Sequence, residues 1–542
     1  MFSAQYKLLF FFFILIQING QPNTIFRPFD WVLYKGAGSI TSITEGHSYS
    51  YIGTQSGGIK RFNLYGNNFD EPITTAQGLK SNNVLALHFD KRTGLLWVAT
   101  KEYIHYSFSR EGDWFYINLN SLGISTQDRI KRIGSSNHYI WIEARSSFIK
   151  LEHSSGTLIG IFPSPDELDI NWSSGKYRGE PALKELFLDY SILEGWSFVG
   201  DELIDMFGRR SDISTAFIGN HGNVIFGSSE GDLFYGTTTM ETFYPITSEL
   251  VNIDVNTLFN FQDELWIASR DYIMSKGVTK LNKKYNTSVH YAFEETINMN
   301  PTPIYSLFSF GNELWAGGEN LILYYDGKSD FWRTIGEERG VPNGIIYDLV
   351  GNETHVFIGS SNGLRRIERS TLSEDPIGIE NYFSNISVND IEFVKNELWV
   401  GTSSGLFIFF DNHTKILRYS DIGRKNFPQN FHRASIIKQY EDKIYIISEV
   451  GIISFDNVSQ EWDLIFTSDI YHDKTILSMA VNRKYFFLGL ENGLIRINKK
   501  TGLVRNYNYR FIGQVNDIFL EEKELWAGTS NGLIKFKWRR DL

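Results

Sequence analysis

One short phrase recurs along the chain and constrains its fold more than any other feature. An apolar residue is followed by Trp or another aromatic, an apolar residue, Gly or Ala, and then Thr or Ser; an alternating apolar stretch comes next. Neighbouring copies lie mostly about 40 to 49 residues apart, the period of a propeller blade. Eleven copies are visible, marked by their usually aromatic positions: Ile52, Trp97, Trp141, Phe226, Trp266, Trp315, Phe357, Trp399, Tyr445, Phe486 and Trp526.

Each unit contains four short runs typical of strands. Around Trp97 they are residues 84–89, 95–100, 104–108 and 113–117. These runs have no helical periodicity between them, which indicates antiparallel sheets. One four-stranded sheet cannot bury both of its faces, but sheets arranged radially cover one another. The sequence therefore predicts an all-β fold, a β-propeller of 11–12 four-stranded blades with the recurrent Trp packed between neighbouring sheets.

The number of blades predicts two propellers, because one ring usually holds roughly four to eight. The last unit ends at its third strand, residues 532–538, whereas a spare outer strand, residues 30–34, precedes the first unit. If these two strands pair, one propeller holds both ends and the other is inserted within it. Simple tandem rings are the alternative. We expect a first propeller region at 21–275 and a second at 276–542.

One gap between copies, from Trp141 to Phe226, is twice as long as the others. It holds either a degenerate twelfth unit or an insertion near residues 153–195.

The N-terminal residues 1–20 have the pattern of a secretory signal peptide. Lys7 provides positive charge and residues 8–16 form an apolar run too short to span a bilayer. An uncleaved membrane anchor is the alternative. We expect a periplasmic or secreted protein with no membrane span after cleavage.

Composition excludes several classes of protein. The chain has no Cys, which rules out disulfides, thiolate catalysis, Cys-bound zinc and an acylated N-terminal Cys. Its net charge of −11 argues against a nucleic-acid partner, because phosphate binding needs clustered Lys and Arg.

The phrases ELWVGTSSGL at 397–406 and ELWAGTSNGL at 524–533 resemble the repeats of the two-component regulator propeller family. The connectors GLKSNNVLAL at 78–87 and GVPNGIIYDL from Gly340 are also similar to that family. The resemblance implies an extracytoplasmic sensor-like propeller, often responsive to glycans. Related propellers occur in secreted proteins and in secretion machinery. No kinase segment follows Trp526 in this sequence, so we expect either a detached sensory module, with a separate membrane signalling protein as its partner, or a truncated piece of a longer sensor.

The recurring Gly-x-Ser-x-Gly pattern at 227–231, 359–363, 401–405 and 528–532 has two interpretations. It is the nucleophile elbow of a serine hydrolase if a helix follows. Each copy is instead followed by an alternating strand, which favours a turn between strands. Histidines are scattered, and His472-Asp473 is the nearest approach to a catalytic pair. We therefore expect no enzyme activity, no catalytic residues, no metal and no cofactor.

The turns between the second and third strands share a face with the connectors between blades. Side chains there vary from unit to unit, as expected where specificity is built on a constant scaffold; ordinary polar turns are the alternative. Arg145 and Arg270 replace the usual small residue and could pair with an anionic group. The candidate ligand-binding residues are Arg145, Arg270, Lys101, Glu230, Glu319, Asn320, Asn362 and Glu491.

The favoured function is a non-enzymatic extracytoplasmic propeller that binds a glycan or a partner protein. One alternative is an envelope scaffold for protein assembly or secretion, which a wide apolar face would favour. The other is a propeller polysaccharide lyase or glycosidase. That alternative needs carboxylates, His or Tyr converging in one channel, with shifted pKa values.

Overall fold

A computed structural model describes residue 27 and residues 29–542 apart from 109–111, 126–128, 221, 247–249, 251–253, 262, 271–276, 285, 379, 396, 411–414, 419–430 and 473. Within these residues the strands form eleven sheets, one for each copy of the recurrent phrase. The predicted all-β propeller is confirmed. The signal peptide expected at 1–20 lies outside the described residues.

Four sheets form a small ring. After the first strand, β1 (Trp31–Tyr34), which belongs to the last sheet of the chain, the first three sheets of this ring follow in order. They are β2 (Ile40–Glu45), β3 (Tyr49–Thr54), β4 (Ile59–Asn63) and β5 (Asn68–Ile73); β6 (Ala86–Phe89), β7 (Leu96–Ala99), β8 (Tyr103–Ser107) and β9 (Phe115–Asn118); and β10 (Arg132–Ser135), β11 (Tyr139–Glu143), β12 (Phe148–Glu152) and β13 (Leu158–Phe162).

The double gap between copies holds an insertion and no twelfth blade. It contains β14 (Asn171–Trp172), α1 (Pro181–Asp189), β15 (Ser191–Ile192), β16 (Ser197–Val199) and β17 (Glu202–Ile204). The fourth sheet of the small ring comes next, with β18 (Arg210–Ile218), β19 (Asn223–Ser228), β20 (Leu233–Thr237) and β21 (Thr242–Pro245). β14 adds to the third sheet, whereas β15, β16 and β17 extend the fourth.

The inserted chain fills the centre of the small ring. Ser173 N–H donates to the Ile133 carbonyl on β10 at 3.0 Å. The Ser174 hydroxyl accepts from Ile43 N–H on β2 at 2.6 Å, and the Thr215 hydroxyl on β18 donates to the Gly175 carbonyl at 2.7 Å. Residues 173–175 thus hydrogen-bond three of the four innermost strands. They replace the open channel expected at a propeller axis.

Seven sheets form a large ring. They comprise β22 (Thr257–Phe261), β23 (Glu264–Ala268), β24 (Gly277–Asn282) and β25 (Thr287–Ala292), followed by the short α2 (Phe293–Thr296); β26 (Ser306–Phe310), β27 (Glu313–Gly317), β28 (Ile322–Asp326) and β29 (Phe331–Ile335); β30 (Ile346–Gly351), β31 (His355–Ser360), β32 (Gly363–Glu368) and β33 (Ser373–Glu374); β34 (Val388–Val394), β35 (Glu397–Thr402), β36 (Gly405–Phe410) and β37 (Lys415–Arg418); β38 (Ala434–Tyr440), β39 (Lys443–Ser448), β40 (Gly451–Asp456) and β41 (Glu461–Thr467); β42 (Ile476–Val481), β43 (Tyr485–Leu490), β44 (Gly493–Asn498) and β45 (Val504–Tyr507); and β46 (Val515–Leu520), β47 (Leu525–Thr529) and β48 (Gly532–Phe536).

The N-terminal strand completes the last sheet of the large ring. β1 pairs antiparallel with β48, Trp31 opposite Phe536 and Tyr34 opposite Leu533. The Trp31 and Phe536 rings stack with centroids 3.7 Å apart. The predicted closure is therefore confirmed, and the small ring is inserted between β1 and β22. The boundary expected at residue 275 falls inside the β22–β25 sheet; the division between rings lies instead between β21 and β22.

The recurrent phrase holds neighbouring sheets together. Trp399 is fully buried and packs on Phe455 and Trp462 of the following sheet, with centroids 5.3 and 5.9 Å away. The Gly of the phrase allows the next innermost strand to approach: a Cβ on Gly359 would lie 2.7 Å from Val388. The last sheet of each ring approaches the first sheet equally closely. A Cβ on Gly227 would contact Ile40 in the small ring, and a Cβ on Gly528 would contact Val255 in the large ring.

The Gly-x-Ser-x-Gly pattern is a turn between strands. The Thr402 hydroxyl donates to the Gly405 carbonyl at 2.8 Å and accepts from Ser404 N–H at 3.0 Å. Gly405 has a φ of 115°, which a residue with a side chain rarely adopts. A strand, β36, follows at once, so the nucleophile-elbow interpretation fails on geometry.

Candidate functional site

Turns between second and third strands lie on the same face as the connectors between sheets, as expected. In the large ring, Asn320 accepts from Gly344 N–H at 2.5 Å, and Asn362 donates to the Asn343 carbonyl at 2.8 Å. Two neighbouring sheets therefore hold one connector from both sides. This connector face brings Asn320 and Asn362 together, and their amides have a structural role there.

The other expected residues are distributed over separate sheets. Lys101, Arg145 and Glu230 are exposed on three turns of the small ring, and Glu491 is exposed on a turn of the large ring. Glu319 is half-buried beside Asn320 and forms a backbone bridge with Ile345.

One of the two arginines, Arg270, has an acidic neighbour. The half-buried Arg270 has its Nε 3.8 Å from an Asp254 carboxylate oxygen, and this separation is at the limit of an ion pair. The exposed Arg145 accepts a bond from Lys131 only through its backbone carbonyl. Asp473 of the His472-Asp473 pair lies outside the described residues.

A cluster of charges on the innermost strands of the large ring was missed by the sequence interpretation. Asp348 lies on β30, Asp390 and Glu392 on β34, Lys438 on β38 and Asp517 on β46. Innermost strands line the axis of a propeller, so these side chains line its channel. One sequence pattern could have revealed this cluster: an apolar residue, any residue and then Asp recur at the start of three innermost strands, at residues 346–348, 388–390 and 515–517.

Three aspartates of this channel cluster connect neighbouring sheets. Asp348 accepts from Ile391 N–H at 2.8 Å, and Asp517 accepts from Leu258 N–H at 2.8 Å across the ring closure. Asp390 accepts from Ile437 N–H at 2.5 Å. A register shift in each of these strands, immediately before the aspartate, turns the carboxylate toward the next sheet.

Burial dominates the electrostatics of the channel cluster. Burial, the charge of Asp390 and a hydrogen bond with it raise the pKa of Asp348 far above its ordinary value. Burial also raises the pKa of Glu392 to about 7, although Lys438 opposes the shift. The pKa of Lys438 is raised, first by the charge of Asp390 and then by carboxylates on β30, β34 and β46.

Lys438 and Glu392 differ from the aspartates in their contacts. Within the described part of the chain, neither side chain makes a hydrogen bond or an ion pair at contact distance. The pKa of Lys438 is raised by carboxylates that lie on β30, β34 and β46, so its charge is stabilised from sheets on both sides. These two groups are therefore the ones available to a molecule that enters the channel.

The described residues contain no cluster of three or more His, Asp or Glu suited to a metal ion. They also contain no helix long and apolar enough to cross a membrane.

Comparison with known proteins gives no match to a protein family and no similar curated protein. Among solved structures, the chain is similar to the extracellular domain of a putative hybrid two-component system from B. thetaiotaomicron at 13% identity and a TM-score of 0.42, covering 95% of this chain and 71% of the other. A second such domain from that organism gives 15% identity and a TM-score of 0.42, covering 92% and 76%. The WD40 propeller of Doa1 gives 13% and 0.39, covering 54% and 94%. Similarity at this level carries no argument about function, which must come from the geometry.

Proposed function

We propose that the protein is a non-enzymatic, extracytoplasmic, sensor-like propeller that binds its ligand on the connector face of the large ring, over the mouth of the charged channel. The observation that carries the proposal is the contrast between the rings. The small ring is filled by residues 173–175, whereas the large ring has Glu392 and Lys438 without contact partners among the described residues.

The favoured ligand is a glycan, and a partner protein is the alternative. Asn320, Asn362 and Glu319 surround one connector on this face, and Arg270 lies on the turn of the preceding sheet. The Arg270 guanidinium, and the amide atoms of Asn320 and Asn362 that do not hold the connector, can satisfy the hydroxyls of a sugar. A separate membrane signalling protein would then detect the loaded state.

The test is an oligosaccharide screen that measures thermal stabilisation of the purified chain, because a ligand selective for the folded state raises its melting temperature. Arg270→Ala should abolish the shift. Arg483→Ala is the matched control, since Arg483 is an exposed arginine on the opposite face, between β42 and β43. A shift that survives Arg270→Ala, or one that both variants lose, would contradict the proposed location.

A second candidate function is a polysaccharide lyase or glycosidase that uses Glu392 as its general acid. The pKa of Glu392, raised to about 7, and its position beside other carboxylates are features of such a site. Against it, Asp348, Asp390 and Asp517 are all engaged by backbone N–H groups. Release of reducing ends from an extracellular polysaccharide, lost in Glu392→Gln, would establish this candidate and overturn the first.

A further inference from the structure

The innermost strands of the large ring share a bulge at the connector face. In β30, β34, β38, β42 and β46 the register with the following strand shifts by one residue, directly after the connector. Such a bulge leaves one residue without a partner opposite and redirects its side chain. The bulged residues, one in each of these strands, are Tyr347, Asn389, Ser435, Leu477 and Asn516.

The bulged residues are more accessible than the residues that precede them. Tyr347 is 39% exposed and the others are half-buried, whereas the residue before each of them is buried. Asn256 and Tyr305 have the corresponding position on β22 and β26, one residue before each strand begins, and both are half-buried. Innermost strands surround the axis of a propeller, so this set of residues lies around the mouth of the channel. We call the set the rim.

Hydrogen bonds place rim residues of neighbouring sheets side by side. The Asn516 side chain donates to the Val255 carbonyl, next to Asn256, at 2.9 Å. The Asn256 side chain in turn donates to the Tyr305 carbonyl at 3.3 Å. An asparagine on the rim therefore links its sheet to the next one. Tyr305 and Tyr347, which are neighbours on the rim, have no amide for this purpose and present phenol rings instead.

Polar groups of the connector face border the two tyrosines. The Ser269 carbonyl accepts from Ile304 N–H at 2.8 Å, so the turn that carries Arg270 contacts the connector that leads to Tyr305. On the next sheet, the exposed Asn320 accepts a hydrogen bond from the connector that leads to Tyr347. The carbonyl oxygen of Asn320 is used in this contact, and its N–H groups can still donate to a ligand.

The charges around the rim favour an uncharged ligand. Every rim residue is a Tyr, Asn, Ser or Leu. Beneath the rim, the carboxyl groups of the channel cluster outnumber Lys438, which disfavours an acidic sugar. The rim itself offers no carboxylate that could bind the amino group of a basic sugar.

We infer that the rim binds an uncharged hexopyranose unit of a glycan, with the C–H face of the sugar on the Tyr347 ring and its hydroxyls toward the Asn320 amide. A pyranose has an apolar C–H face, which packs on an aromatic ring, and hydroxyls at its edge, which take hydrogen bonds. This inference rests on the proposed function, because it specifies the sugar that the same connector face binds.

Calorimetric titration of the full chain tests this inference, with cellohexaose, mannohexaose and laminarihexaose as neutral probes and hexagalacturonate and hexaglucosamine as charged ones. A neutral hexasaccharide should bind about tenfold more tightly than either charged one. Tyr347→Ala should weaken that binding about tenfold, and Tyr347→Phe should weaken it less because the ring is kept. Tyr65→Ala is the matched control and should leave binding unchanged, since Tyr65 is 82% exposed on the small ring.

Three results would overturn the inference: no binding of a neutral hexasaccharide, equal or tighter binding of a charged one, or unchanged binding by Tyr347→Ala. The comparison of sugars uses the unaltered chain, so it holds even if Tyr347→Ala does not fold.

The same titrations separate this inference from the proposed function. Binding that is lost in Arg270→Ala but kept in Tyr347→Ala contradicts the rim alone. Binding that is kept in Arg270→Ala but lost in Tyr347→Ala contradicts the location given in the proposed function and supports the rim. If no saccharide of either kind binds, the inference fails and a partner protein remains as the ligand of the proposed function.

Discussion

Replacing Glu392 by Gln should stabilise the protein at alkaline pH and leave its stability unchanged in acid. Burial raises the pKa of Glu392 from 4.5 to about 7. Between these two values the folded state binds more protons than the unfolded state, so the free energy of unfolding falls as pH rises. A glutamine at this position carries no charge, so the free energy of unfolding of the variant does not fall as pH rises through this range.

The magnitude follows from the size of the shift. The difference between 7 and 4.5 is 2.5 pH units, and at 1.36 kcal/mol for each unit this gives a gain of about 3 kcal/mol at pH 8. For a ring of this size such a gain raises the melting temperature by about 5 °C. Well below pH 4.5 the glutamate is protonated in both states, and the two proteins should unfold at the same temperature.

Scanning calorimetry at about pH 3.5 and at pH 8 measures the difference directly. Glu102→Gln, an exposed glutamate on a turn of the small ring, is the matched control and should show no difference at either pH. An equal effect of Glu392→Gln at both pH values, or a loss of stability at pH 8, would refute the assignment of Glu392 to a desolvated channel.

Three further predictions concern the scaffold. Trp31→Ala should lower the free energy of unfolding by about 3–5 kcal/mol, because Trp31 is 3% exposed and stacks on Phe536. Backbone hydrogen exchange should accelerate in β46–β48 and remain unchanged in β6–β9. A uniform increase over both sheets would contradict closure by β1. Gly359→Ala should lower the free energy of unfolding by about 1–3 kcal/mol, because the added Cβ would lie 2.7 Å from Val388. Thermal melts should show a smaller loss of stability for Gly401→Ala, because the atom nearest to a Cβ at that position is 3.1 Å away. Glu71→Gln should destabilise the ring junction at pH 7: burial raises the Glu71 pKa, but Lys535 and Lys537 lower it overall. The stability that a lowered carboxylate pKa contributes is present above about pH 4.5 and is lost as pH falls. In urea unfolding, Glu71→Gln should therefore lose more stability relative to the unaltered protein at pH 7 than at pH 3. An equal loss at both pH values would exclude a contribution from the ion pairs.

The repeat in the sequence was enough to predict eleven or twelve sheets, and to give the pairing of β1 with the last unit as one of two alternatives. Its signals are local: the Trp that packs on the next sheet, the Gly that lets Val388 approach and the turn at Thr402 each lie within one unit. The division into four and seven sheets was not predictable. It depends on which innermost strands meet, such as β18 with β2 and β22 with β46, and no single unit encodes that choice.

The candidate sites show the same limit. Turn residues such as Asn320 and Asn362 were found because each turn follows a recognisable phrase, although their contacts with Gly344 and Asn343 were not foreseen. The channel cluster brings Asp348 and Asp517 near one lysine from sheets far apart in the chain. Long-range proximity of this kind arises only from ring closure. The filling of the small ring by residues 173–175 is equally non-local.

Closure of the large ring by β1 also constrains the order in which the parts of the protein can fold. β1 is made before the sheets of both rings, whereas its partner β48 follows them, so the apolar residues of β1 stay unpaired while those sheets are made. The small ring, made immediately after β1, can fold in that interval because domains fold as units during translation. A folded small ring then keeps the waiting strand at one end of a growing arc of sheets. The large ring closes only when β48 pairs with β1.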